Sequence, residues 1–239
     1  LLFRTKGGQL MKGMLIVFEG IDGSGKATQA ALLEQELRTE GRNVLHISFP
    51  DYKSESSALV RMYLSGDFGA DPSSVNPYAA SLFFAMDRFA SFRMHWKSFY
   101  EKGGIVIADR YTTSNMVHQM TKYDSEEERK AFLNWLEDME YEKLELPRPD
   151  VVILLDMPLQ QSEELVRKRA EAGGAMDIHE QHIEYLRRCH DAYQMLAARY
   201  GWTRISCVKN NVLLTPETIA ESIKADVESF LDKNVCQFI

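Results

Sequence analysis

The sequence predicts an α/β three-layer sandwich, a five-stranded parallel sheet with helices on both faces and a short lid. Three observations carry this. Five short apolar segments recur along the 239 residues, at 14–19, 43–48, 105–109, 151–156 and 203–208. Most are continuous β-branched or leucine runs, the pattern of strands covered on both sides. Long stretches with helical spacing separate them, and strands alternating with helices imply crossovers and a parallel sheet.

The elements follow in order. After the first strand, 26–39 carries Ala30, Leu33 and Leu37 on one helical stripe. The second strand ends at Ser48-Phe49-Pro50. A long helix over 77–102 places Leu82, Met86 and Phe89 on its apolar stripe. The third and fourth strands end at Asp109-Arg110 and Asp156. A helix over 178–200 carries Ile183, Leu186, Tyr193 and Leu196, and the fifth strand follows it. Thr215-Pro216-Glu217 starts a closing helix over 213–239. Residues 1–10 read as an upstream extension outside a single domain of 11–239, whose lid spans about 167–178.

Composition excludes several partners. Lys and Arg number 28 against 35 Asp and Glu, a formal charge of −7. A sequence-independent nucleic-acid binder needs a basic surface to displace counterions, and an anionic membrane surface makes a similar demand. No apolar run approaches the roughly 20 residues of a membrane span. Cys189, Cys207 and Cys236 are odd in number and contain no Cys-x-x-Cys, so neither a disulfide framework nor a zinc site is expected. A reducing cytoplasm is the expected location.

Ligands of such sheets sit beyond the carboxyl ends of the strands. There the first strand runs into Gly20-Ile21-Asp22-Gly23-Ser24-Gly25-Lys26-Ala27-Thr28. Glycines at 20 and 25 with a lysine next have the spacing of a phosphate-cradling loop between strand and helix. Glycines let backbone N–H groups turn inward on an anion, and the helix that follows points its positive end at it. Lys26 adds a charge for the β- and γ-phosphates of ATP. The residue after the lysine is Ala27, which cannot ligate magnesium. Either Thr28 takes that place, or Mg²⁺ is held by waters and Asp109.

The third strand leads into the acceptor side. Arg110 can grip a phosphate bidentately while Asp109 orients magnesium or the attacking oxygen. Ser114, Asn115 and His118 follow at spacings that share one helical face. Phe84 and Arg88, four apart, suit a flat base: one stacks on it, the other hydrogen-bonds a carbonyl.

Phe18-Glu19-Gly20-x-Asp22, Lys26-Ala27-Thr28-Gln29, Phe49-Pro50, Leu82-Phe83-Phe84-Ala85-x-x-Arg88 and Asp109-Arg110-Tyr111-x-x-Ser114-Asn115 together resemble the thymidylate kinases in order and spacing, over residues 14 to about 200. The resemblance implies a P-loop kinase that phosphorylates thymidine monophosphate. It implies that Asp22 contacts the 3′-hydroxyl, Phe84 stacks on thymine, Arg88 and Asn115 read the base and Arg110 holds the acceptor phosphate. It also implies a homodimer. Where many members carry an arginine after the Phe-Pro pair, Asp51-Tyr52-Lys53 follows Phe49-Pro50, which gives Lys53 that role. His118 stands where many members have a tyrosine against a ribose 2′-hydroxyl.

Phosphoryl transfer spreads negative charge that cations must stabilise. The phosphate loop holds no arginine, and members lacking one resemble the class that supplies basic residues from the lid. Arg167 and Arg169, before Gly173-Gly174, are the candidates here, with Asp177 and Glu180 as lid anchors. Two readings stand beside the thymidylate kinase: a kinase for another nucleoside monophosphate, and a nucleotide-binding paralogue without catalysis, which Ala27 favours.

Overall fold

A computed structural model describes residues 13–171, 179 and 183–236. The expected extension at 1–10, and Asp177 and Glu180 of the lid, lie outside the described residues. Five strands form one parallel sheet: β1 (Met14–Glu19), β2 (Val44–Ser48), β3 (Ile105–Asp109), β4 (Val151–Asp156) and β5 (Thr203–Ser206), in the order β2-β3-β1-β4-β5. Leu15 to Glu19 of β1 are buried one after another, so the sheet is covered on both faces. α1 (Lys26–Thr39) packs on β1, β2 and β3 and on the closing helix α9 (Pro216–Cys236). Ala30, Leu33 and Leu37 are its buried stripe, as the spacing predicts. The fifth strand stops at Ser206. Val208–Lys209 (β6) turns back on Val212–Leu213 (β7) through Asn210 and Asn211, both at positive φ, as a two-residue hairpin turn requires.

Around the other helices the chain departs from its simplest pattern. The short α2 (Ala58–Leu64) packs against α3 (Pro77–Ser91). Asn76 caps α3 by accepting from the Ala79 amide at 2.9 Å, with Pro77 in the first turn. The expected helix over 77–102 is three pieces: α3, a π-helical turn at Phe92–Trp96, and α4 (Lys97–Glu101). The stripe expected on α3 is reversed. Leu82 and Met86 are 41% and 40% exposed, whereas Arg88 is 2% exposed and Asp87 1%. Polar pairing decides this. Asp87 accepts from the Asp51 amide and Ser56 hydroxyl, and Arg88 pairs with a buried glutamate, so the polar face turns inward.

α5 (Thr112–Met120) lies between α3 and α8 (Ile183–Tyr200). Leu186, Tyr193 and Leu196 of α8 are buried as expected. α6 (Glu126–Glu137) continues into a second π-helical turn, Asp138–Lys143, whose Met139, Glu140 and Tyr141 are all buried. α7 (Leu159–Glu171) follows β4.

Candidate active site

Two polar loops meet where β1 and β3 end side by side. Phe18 pairs with Asp109 in register, so the loop after β1 and the residues after β3 leave the sheet as neighbours. Gly25, at φ 87°, precedes α1, and the helix has no side-chain cap. A Cβ on Gly25 would meet nothing within 4 Å, so its left-handed backbone, rather than crowding, demands glycine. The first amides of α1 have no side-chain cap, an anion-binding arrangement. Lys26 folds over this loop, its Nζ donating to the carbonyls of Gly20 and Ile21 at 3.0 and 2.9 Å. Burial, then the nearby Arg110, push its pKa down to about 8, against the pull of Asp22, Asp109 and Glu19. Ser24 is buried in the loop, while Ala27 and Thr28 are exposed on the first turn of α1. α7 seats on the same loop: Ser162 donates its hydroxyl to the Asp22 carbonyl, and Gly23 approaches the Ser162 backbone.

Arg110 is a non-glycine residue at φ 67°, an uncommon backbone geometry that concentrates at functional sites. Its guanidinium does not pair with adjacent Asp109. It reaches across to Asp22, donating from Nη2, and Lys26 Nζ lies 3.9 Å from the same carboxylate oxygen. Burial favours protonation of Asp22, but Arg110 and Lys26 overcome it and hold the carboxyl well below its usual range. Both cations thus converge on one anion. Asp109 keeps a buried Oδ1 with no partner among the described residues.

A cavity of about 190 Å³ opens beside this cluster. Asp22, Phe49, Phe84, Arg88, Arg110, Ser114, Asn115 and His118 line it, so eight of the residues expected on the acceptor side are brought together. Lys53 is not. The turn at 51–54 is held by the bond from the Asp51 amide to Asp87, and Lys53 is exposed beyond it. Arg88 donates from Nε to Glu140 Oε2 at 3.0 Å and from Nη2 to Oε1, leaving Nη1 unused by that carboxylate. Asn115 Nδ2 donates to the Ser81 carbonyl and to Glu140, both at 3.1 Å. Its Oδ1 and both amide atoms of Gln119, also on the cavity wall, are buried without a partner among the described residues. Unsatisfied buried polar atoms at a cavity wall point to a polar ligand.

His118 and His179 close the other side. Their rings stack 5.2 Å apart at 15°. His118 Nδ1 meets the Tyr185 hydroxyl at 3.0 Å, and His179 Nε2 meets that of Tyr63 at 3.2 Å. Burial, His179 and Arg110 hold the His118 pKa well below 6.5, so this imidazole is neutral at neutral pH.

The lid residues stand apart. Arg167 is exposed on α7, its Nε 3.8 Å from Glu171, and Lys168 pairs with Glu164 at 2.7 Å. One-turn ion pairing along the helix directs both to solvent. The side chain of Arg169 and residues 172–178 lie outside the described residues. Glu19, Gln119, Glu140, His179 and Tyr193 are site features that sequence reasoning missed. In the sequence Glu19 stands out only as part of the Phe18-Glu19-Gly20 motif that ends the first strand, Tyr193 only as a core position and Glu140 only as one acid in a charged run.

A thymidylate kinase family profile matches residues 18–219. A probable thymidylate kinase of Pyrococcus abyssi (strain GE5 / Orsay) is 34% identical over 218 residues, which cover 91% of this chain and 97% of that relative. A thymidylate kinase of Mycobacterium tuberculosis (strain ATCC 25618 / H37Rv) is 35% identical over 193 residues, covering 79% and 87%. The solved structure of a thymidylate kinase from Candida albicans shares the fold, with a TM-score of 0.67 at 19% identity over 91% of this chain and 92% of that one. With the profile spanning most of its length and relatives matched nearly end to end, the chain belongs to the thymidylate kinase family.

Proposed function

We propose that this chain, as a single kinase domain over 11–239, transfers the γ-phosphoryl group of ATP to thymidine monophosphate, giving the diphosphate and ADP. Family membership supports the reaction, and disfavours a kinase for another monophosphate or a non-catalytic binder. One observation carries the division of labour: Lys26 of the phosphate loop and Arg110 of the acceptor cavity both reach Asp22. Two phosphates drawn to these cations meet near one point, so positioning and electrostatics supply the catalysis without a covalent intermediate.

In this reading the uncapped amides and Lys26 hold the donor phosphates. Arg110 releases Asp22 to take the acceptor phosphate, which frees that carboxylate for a sugar hydroxyl. Phe84 offers its face to thymine, and Arg88 Nη1, Asn115 and Gln119 offer polar atoms to its edge. Arg167 and Arg169 remain the lid cations for the transferring group. Magnesium fits the donor set: the free Oδ1 of Asp109 and the exposed Thr28 are oxygens that would hold it beside phosphates and waters. The ion would neutralise charge on those phosphates.

Leu82 and Met86 on α3, with Leu59 and Met62 on α2, are exposed apolar residues and support a homodimer through these helices. Cys189 and Cys207 are free and buried, which suits a reducing cytoplasm, and no described helix is long and apolar enough to cross a membrane. The acidic net charge argues against nucleic acids as partners.

A coupled assay over ribo- and deoxynucleoside monophosphates tests the proposal. Thymidine monophosphate is expected to be preferred, and preference for AMP or GMP would overturn it. Lys26→Ala and Arg110→Ala are each expected to abolish turnover while circular dichroism stays unchanged.

A further inference from the structure

Behind Arg110 stands a second layer of polar groups that the reaction, as described, does not use. Glu19, the last residue of β1, is 0% exposed. Its Oε1 accepts from Thr113 Oγ1 at 2.6 Å, and its Oε2 from Ser114 Oγ at 2.7 Å and Tyr193 Oη at 3.0 Å. The Ser114 and Tyr193 hydroxyls also face Arg110, whose Nη1 lies 3.1 Å from Tyr193 Oη, 3.3 Å from Ser114 Oγ and 3.5 Å from His118 Nε2. The direction of each bond follows from chemistry. A guanidinium only donates, so each of these hydroxyls turns a lone pair towards Nη1 and gives its one proton to Glu19. Burial and the neighbouring Glu19 raise the Tyr193 pKa well above 10, which keeps that proton in place.

We propose that Tyr193, backed by Glu19, is a positioning residue that holds the Arg110 guanidinium ready for the acceptor phosphate. The inference rests on Arg110 as the acceptor-phosphate clamp. A free arginine side chain has many rotamers, and a phosphate that captures it must first order it. Here the ordering is done in advance. The left-handed backbone sets where the side chain starts, and two hydroxyls tied to one carboxylate hold Nη1, with His118 Nε2 beside them. Tyr193 comes from α8, 83 residues along the chain from Arg110, so helix packing rather than local sequence sets the clamp's aim.

Tyr193→Phe keeps the buried ring and removes only the hydroxyl. The expected result, by calorimetry on the full chain, is about tenfold weaker binding of thymidine monophosphate, with thymidine itself and ATP bound as before. The loss is confined to the phosphorylated ligand because only its phosphate meets Arg110. Equal weakening of nucleoside and nucleotide would make Tyr193 merely structural and overturn the proposal, as would unchanged binding of both. Ser114→Ala, which removes the other strut, is expected to give the same phosphate-selective loss. Arg110→Ala separates the two levels. If it leaves nucleotide affinity intact, the clamp reading itself fails. If it selectively weakens the nucleotide while Tyr193→Phe does not, only the positioning role fails. Adding Tyr193→Phe to Arg110→Ala is expected to cost nothing further.

Discussion

Arg88, on the wall of the acceptor cavity, and Glu140 behind it are withdrawn from water together, at 2% and 0% exposure. A buried pair of this kind is only weak evidence for stability, but breaking it leaves an uncompensated charge in a low-dielectric site. Glu140→Ala is therefore expected to lower the unfolding free energy by about 3–5 kcal/mol, read from urea denaturation. Glu140→Gln, which can still accept from the guanidinium, is expected to lower it less. Arg88 was legible in the sequence because an aromatic and a cation four residues apart suit a base. Glu140 was not, because it sits among Glu137, Asp138 and Glu142, and such a run reads as solvated surface. The π-helical turn carries the difference: its extra residue turns Met139, Glu140 and Tyr141 inward in succession.

At the level of elements, the strands and α1 were readable because their burial is set locally, by apolar runs and by a glycine loop that needs a helix after it. α3 was not, since Asp87 and Arg88 find partners on other elements that a helical stripe cannot reveal. Long-range pairing also governs α5. Just past its end, Lys122 donates to the Tyr63 hydroxyl of α2 at 3.2 Å and the Val75 carbonyl at 3.0 Å. Burial pushes its pKa down to about 8 from 10.5. A lysine depressed in the folded state binds fewer protons there than when unfolded, so stability rises with pH between about 8 and 10.5. Below 8 the cost of the buried charge is fully present. Denaturant unfolding of wild type and Lys122→Met across pH 7 to 10 is expected to show the wild type gaining on the variant as pH rises. A constant difference would mean that Lys122 does not titrate in this range.

For the whole molecule, the exposed pairs Leu59 and Met62 on α2 and Leu82 and Met86 on α3 are the basis of the proposed dimer. Leu82→Glu with Met86→Glu adds two charges to that face. It is expected to shift the mass measured by light scattering from two chains to one, with little effect on the monomer's secondary structure. An unchanged monomeric mass for the wild-type chain would remove the homodimer from the proposal.

The ladder between β1 and β3 has its own consequence. Met14 pairs with Ile105 and each following residue keeps step, so Phe18 and Asp109 finish level. Sliding β3 by one position would carry Arg110 about 3.3 Å along the strand and turn its neighbours to the opposite face. Reacting atoms that must start about 3–3.5 Å apart tolerate no such error. The backbone hydrogen bonds at the centre of the sheet therefore serve as a ruler, and the distance between donor and acceptor is measured there before either nucleotide arrives.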